Sequence, residues 1–137
     1  MSKNELTEKI IRAAIEVHKT LGGPGLLEAV YEEALVFELE AKGLKVERQV
    51  VWPICYKGNE LGIPLRIDLL VEDSVIVECK ATSENHPIFE SQLLTYLRLS
   101  KKSLGLVLNF GQKYLKDGIR RVVNNFYEHG DAETRRI

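Results

Sequence analysis

Near the start of the chain the apolar residues recur with the period of a helix. Leu6, Ile10, Ala13, Ala14, Val17 and Leu21 fall three or four apart, while Glu5, Glu8, Lys9, Arg12, Glu16 and Lys19 fill the complementary face. This spacing predicts an amphipathic helix from Leu6 to Leu21. Gly22-Gly23-Pro24-Gly25 ends it and turns the chain. A second helix is predicted from about Leu26 to Lys42, with Leu27, Val30, Ala34, Phe37 and Ala41 as its core stripe and Gly43 as its stop. Beyond Gly43 the period shortens. Leu44 to Tyr56 alternates weakly through Val46, Val50, Val51, Trp52 and Ile54, which suggests a strand, with Pro53 marking an edge or a bulge. Lys57-Gly58-Asn59-Glu60 reads as a hairpin turn, and Leu61 to Val71 and Val75 to Ala81 as the next two strands. Helical spacing returns over Ile88 to Leu99 through Phe89, Leu93, Tyr96 and Leu97, and Leu104 to Phe110 is a short apolar run typical of a buried strand. Lys113 to Asn125 carries an Asp117-Gly118 turn signal between Tyr114-Leu115 and Ile119 to Val123, and predicts a final hairpin or strand. Tyr127 to Ile137 is polar and expected to be loose, which leaves residues 1–126 as one folded domain. The expected architecture is an α/β fold: an antiparallel three-stranded meander plus further strands, flanked by helices.

One stretch breaks this pattern. From Arg66 to Ala81 almost every position suits a buried sheet, yet Asp68, Glu78 and Lys80 interrupt it. The register of the hairpin decides whether they meet. A turn made of Glu72 and Asp73 alone would place Asp68 opposite Val77, on the face away from Glu78. A three-residue loop, Glu72-Asp73-Ser74, would pair Val71 with Val75 and set Asp68 against Glu78. The second register also sorts the side chains, with Ile67, Leu69, Val71, Val75, Val77 and Cys79 on one face and Arg66, Asp68, Leu70, Ile76, Glu78 and Lys80 on the other. It is preferred for that reason. It places two carboxylates about 5 Å apart on neighbouring strands, which destabilises a sheet unless positive charge lies between them. A divalent cation and Lys80 would supply that charge. Without one, the three residues would form a salt-bridged polar face on an exposed sheet.

Composition narrows the field only a little. A chain of 137 residues with 45% hydrophobic content is long enough for a core of its own. The net charge of −1 removes any global basic field, so a nucleic-acid role must rest on local patches. Lys101-Lys102, Lys113, Lys116 and Arg120-Arg121 are the candidates to flank a cleft and meet phosphates. Cys55 and Cys79 lack metal-type spacing and read as buried thiols in a reducing compartment. No apolar run approaches a membrane span and no signal-peptide core opens the chain, so the expected location is cytoplasmic. His18 reads as a helix-face histidine, and His86 and His129 as surface residues.

The order of elements, with Asp68 on the second strand of the meander and Glu78-Cys79-Lys80 on the third, resembles the PD-(D/E)xK nuclease superfamily, the restriction-endonuclease-like fold. Ile67 stands where that family's proline would precede the aspartate. The resemblance implies that Asp68, Glu78 and the Cys79 carbonyl hold Mg²⁺ or Mn²⁺, that Glu28 reaches the metal through water, and that Lys80 orients or activates the attacking water. Gln92-Leu-Leu-Thr-Tyr96 resembles the Q-x-x-x-Y element of RecB-type members, which adds Gln92 to the catalytic set; some of those members also use a helical histidine, as His18 would be. Gly25-Leu-Leu-Glu28-Ala-Val-Tyr31, preceded by Glu16-Val-His18-Lys19 and followed by Asn109-Phe110-Gly111, is similar to the GxxExxY family within the same superfamily. The chemistry agrees, since hard oxygen ligands suit Mg²⁺ and phosphodiester cleavage needs an oriented water and neutralised charge on phosphate. Lys80 would stabilise the transition state electrostatically or accept a proton from water. The expected function is a metal-dependent phosphodiesterase acting on nucleic acid, DNA more than RNA, with a homodimer as one way to reach both strands. The alternative is a nuclease-fold module that binds nucleic acid or protein and cuts weakly or not at all.

Overall fold

The computed structural model of the chain describes residues 1–125; the tail expected over residues 127–137, with His129 in it, lies outside them. The first helix, α1 (Lys3–Thr20), starts earlier than the apolar period because Ser2 and Glu5 form a capping box. Its buried face is Leu6, Ile10, Ala13, Ala14 and Val17, with Thr7 and His18 beside them, while Leu21 stays partly exposed. The second helix, α2 (Glu28–Ala41), carries two apolar stripes, and the packed one is not the one expected. Tyr31, Leu35 and Leu39 are fully buried, whereas Leu27 and Phe37 are 77% and 71% exposed and Val30 is exposed as well. A helix that is apolar most of the way round leaves the choice of face to its neighbours. Here the Tyr31 ring decides it by stacking on Phe110, with centroids 4.7 Å apart and planes 9° from parallel.

Five strands form the main sheet in the order β1-β4-β5-β6-β7: β1 (Val46–Trp52), β4 (Leu65–Val71), β5 (Val75–Lys80), β6 (Leu104–Asn109) and β7 (Ile119–Val123). The meander β1-β4-β5 is antiparallel, β6 runs parallel to β5 after the crossover helix α3 (Pro87–Ser100), and β7 returns antiparallel. Between β1 and β4 a small hairpin, β2 (Cys55–Tyr56) with β3 (Asn59–Glu60), stands off as its own sheet. Cys55 is therefore exposed, contrary to expectation, while Cys79 is buried. The final segment yields the strand but not the hairpin, because Leu115–Gly118 forms a 3₁₀ turn rather than a partner strand.

Helices cover both faces. One core layer joins α1 and α2 to Leu69, Val71, Val75, Val77, Cys79, Leu106 and Leu108. The other joins Leu93 and Leu97 of α3 to Ile67, Leu70, Ile76 and Val107. Ile67 thus packs under α3 rather than with Leu69, so the alternation expected along β4 inverts at Asp68. Strand β1 inverts at the matching place: Val46 packs with the first layer and Val50 with the second. Arg48 pairs with Leu69 and Val50 with Ile67, but Gln49, in a left-handed conformation at φ 53°, makes no ladder pair with Asp68. Among the described residues no helix is long and apolar enough to cross a membrane.

Candidate active site

The loop between β4 and β5 is the three-residue one. Val71 pairs with Val75, Leu70 with Ile76 and Leu69 with Val77, and Glu72 and Asp73 take left-handed conformations at φ 52° and 55° to close it. Continuing this register sets Asp68 against Glu78, but the backbone ladder stops one step short. The Asp68 amide donates to Glu78 Oε2 at 2.9 Å, and the Cys79 amide donates to Asp68 Oδ2 at 2.9 Å. Two carboxylates have replaced interstrand carbonyls, so β4 and β5 part at this point with acid groups in the gap. Lys80 turns its carbonyl to Phe110 N on the other side, at 2.7 Å. Backbone groups alternate direction along a strand, so the Cys79 carbonyl, like its amide, faces the gap. The Cys79 thiol points into the α1/α2 core, where burial pushes its pKa well up and leaves it inert.

Burial and mutual repulsion dominate the electrostatics. Glu78 is 4% exposed, and desolvation first and Asp68 second raise its pKa to about 8, against the opposing pull of the Asp68 amide and Lys80. Desolvation also raises Asp68, helped by Glu32 and opposed by the Cys79 amide and Lys80. Glu28, the first residue of α2, stays accessible, but partial desolvation and then Asp68 raise it too, with Lys80 opposing. Three carboxylates therefore face one ammonium. Lys80 Nζ donates to Gln92 Oε1 at 3.0 Å and lies 5.0 Å from the Phe89 ring centroid, and Gln92 Nε2 donates to Tyr96 Oη at 3.3 Å. Burial, then Glu78 and Asp68, raise the Tyr96 phenol. The structure thus brings together Glu28, Asp68, Glu78, the Cys79 backbone, Lys80 and Gln92.

The sequence reading missed a supporting layer on α2 and β1. Glu32 is buried and takes Arg48 Nε at 2.6 Å, while Gln49 Nε2 bridges it, at 3.0 Å to each oxygen, to Asp68 Oδ1 at 3.5 Å. The only signal was a glutamate one helical turn beyond Glu28; its partners are sixteen and seventeen residues away and on a strand. The sequence motifs around Tyr31 and Asn109 prove to be supports. Tyr31 Oη donates to Gly23 O at 2.7 Å and accepts from Leu26 N at 3.1 Å, tying down the loop that leads into Glu28. Buried Asn109 accepts from Thr82 N and Gly111 N and donates to the Glu84 carbonyl and Asn85 Oδ1, which fixes the loop leaving Lys80. His18 is buried with Nε2 2.9 Å from Gln112 O, a structural partner.

The basic residues expected around the cleft divide. Lys102 sits at the far end of β5, donating to Asp73 O at 2.8 Å and lying 5.8 Å from the Trp52 centroid. Arg120 turns to the Asp117 and Ile119 carbonyls and Arg121 to Asn4. Lys113 and Lys116 follow β6, at the same end of the sheet as Lys80.

The donor set suits a hard cation. Asp68 and Glu78 each spend one oxygen on an amide; Glu78 Oε1 takes no protein hydrogen bond among the described residues, and the Cys79 carbonyl faces the same gap. Among those residues no three His, Cys, Asp or Glu side chains are gathered into a ready-made cation cage, because both carboxylates are turned onto the backbone.

A family model described as the PD-(D/E)XK nuclease superfamily matches residues 4–122. No curated protein matches the chain significantly. Among solved structures, the crystal structure of SSO0001 aligns at 19% identity with a TM-score of 0.49, covering 77% of this chain; the chain spans 55% of that protein's length.

Proposed function

The chain belongs to the PD-(D/E)XK nuclease superfamily, and from that premise we propose that it is a metal-dependent nuclease that hydrolyses phosphodiester bonds of DNA at the gap between β4 and β5. The observation that carries the reading is the interrupted ladder. A buried carboxylate, Glu78, and a half-buried one, Asp68, stand where strand carbonyls belong, Glu78 raised to about 8 by desolvation first and the Asp68 charge second, with one ammonium, Lys80, beside both. A structural ion pair would not leave that excess. Asp68, Glu78 and the Cys79 carbonyl would hold Mg²⁺ or Mn²⁺, with Glu28 reaching it through water. Once bound, the ion supplies Lewis-acid activation of water and charge neutralisation at phosphate. Glu28, the exposed first residue of α2, lies near enough for the Asp68 and Lys80 charges to act on its carboxyl. Gln92 holds the Lys80 ammonium by its amide oxygen and is itself positioned by Tyr96, so Lys80 meets the scissile phosphate or the attacking water in a fixed orientation. Within the superfamily, Gly25, Glu28 and Tyr31 support a place in the GxxExxY group.

The test is cleavage of single- and double-stranded DNA, with RNA in parallel, across Mg²⁺ and Mn²⁺. Asp68→Ala and Lys80→Ala are expected to lose at least about 100-fold in rate while keeping the wild-type circular dichroism spectrum. Cleavage by these variants at the wild-type rate defeats the proposal. A wild-type protein that binds DNA but cuts neither strand would instead favour the binding module, a reading supported by the backbone amide that each carboxylate already accepts from.

A further inference from the structure

We infer a second binding surface in this protein: the groove between the C-terminal end of α1 and the segment after β6 takes a single-stranded stretch of nucleic acid, with Tyr114 stacking on a base and Lys19, Lys113 and Lys116 meeting its phosphates. The nuclease reading supplies the choice of nucleic acid as ligand; the groove itself stands on its own geometry. It has a volume of about 600 Å³ and is left open by Gly22 and Gly23, which present no side chains. That is within the range of roughly 300–1,000 Å³ that takes a small-molecule-sized group. No carboxylate lines it. The groove between α1 and α2, by contrast, is rimmed by Glu16, Glu33 and Glu38. Among the described residues none of the three lysines has a carboxylate partner within salt-bridge distance.

Tyr114 makes the groove more than a patch of charge. Its ring is 56% exposed, with Lys113 and Lys116 Nζ at 5.5 and 6.0 Å from the centroid. The adjoining turn is rigid, since Leu115 is buried and Asn85 Nδ2 donates to Asp117 O at 2.8 Å. With these ammoniums over the fixed ring, an unpaired base would take an ammonium's place on the aromatic face while the displaced lysine meets the adjoining phosphate. The bases of a duplex are already stacked and cannot reach it. An acidic peptide would meet the lysines but gain nothing from the ring.

Hydrogen bonds tie the walls of the groove to the segments that carry the carboxylate site. Gly23 O accepts from Tyr31, on the same helix as Glu28. Gln112, next to Lys113, accepts from His18 through its carbonyl and donates through its side chain to Ser83 O at 2.8 Å, in the loop leaving Lys80. A strand seated on Tyr114 would lie against segments hydrogen-bonded to those that carry Glu28 and Lys80.

The experiment is fluorescence anisotropy of a labelled oligothymidylate with the full chain in EDTA, where nothing is cut, across a salt series. Tyr114→Ala is expected to weaken binding roughly 5- to 100-fold and Tyr114→Phe to leave it near wild type. The Lys113→Ala/Lys116→Ala double variant should flatten the log–log salt slope by about 1.4. Polyglutamate should not compete. Absence of wild-type binding, indifference to Tyr114→Ala, or competition by polyglutamate equal to that of the oligonucleotide would each overturn the inference. A protein that binds in this way yet cuts nothing sinks the nuclease reading and leaves the groove; one that cuts but ignores these substitutions sinks the groove alone.

Discussion

Replacing Glu78 by glutamine should make the metal-free protein more stable at alkaline pH, and the size of the gain follows from where the side chain is held. Glu78 carries a pKa of about 8 in the folded protein against 4.5 when exposed, because burial and Asp68 both penalise its charge. Between those values the native state keeps a proton that the unfolded chain has lost. Native protons then exceed unfolded ones, and stability must fall as pH rises through that window. At about 1.4 kcal/mol per pH unit, the cost accumulated by about pH 8 is on the order of 5 kcal/mol. Asp68 is displaced in the same direction and steepens the fall. Glutamine keeps an oxygen to accept from the Asp68 amide but carries no charge to bury. In EDTA, chemical denaturation from about pH 5 to about pH 9 should show wild-type stability declining and the Glu78→Gln curve much flatter. The two should lie close at the acid end and separate by a few kcal/mol at the alkaline end. Added Mg²⁺ should restore wild-type stability at the alkaline end, where the carboxylates are ionised, and do little at the acid end. A wild-type curve that is flat or rises with pH, or a Glu78→Gln protein no more stable than wild type near pH 9, would refute the reasoning.

Other predictions test the scaffold around the site. Gly111→Ala would drive a Cβ into the Thr82 backbone, so a loss of about 3 kcal/mol or more is expected by urea titration, with no soluble folded protein as the extreme. Tyr31→Phe keeps the stack on Phe110 but gives up the bonds to Gly23 O and Leu26 N, and should cost about 1–2 kcal/mol; its amides near Gly23 should exchange hydrogen faster than wild type. The two faces of α2 should separate cleanly in thermal melts: Leu35→Ala, at a fully buried position, should lose about 2–5 kcal/mol, and Phe37→Ser, at a side chain 71% exposed, no more than about 0.5 kcal/mol.

Much of this was legible in the residues. The α1 stripe, the turn glycines, the strand runs and the three-residue loop all express local preferences, and each sets a period or a break that the fold respects. The hairpin register could be read because Val71, Val75, Val77 and Leu69 sort to one face in only one of the two registers. The Asp68–Glu78 encounter followed from it. Glu32, Arg48 and Gln49 were not legible as a unit, because what unites them is the packing of α2 against β1 rather than any spacing. Nor could the sequence tell which lysines border the site: Lys102 and Lys113 look alike until β5 separates them by its length.

What the sequence by itself determined was the set of elements, their order and the charged residues misplaced among apolar ones, since periodicity and turn chemistry act over a few residues. Only the tertiary structure decided which stripe of α2 is buried, because both stripes are apolar and the choice fell to Phe110 across the core. It also decided that the alternation along β1 and β4 inverts at Gln49 and Asp68, which no local pattern announces. That inversion parts β4 from β5 and turns Asp68 and Glu78 onto backbone amides, converting two ill-placed acids into a site whose charge is unbalanced.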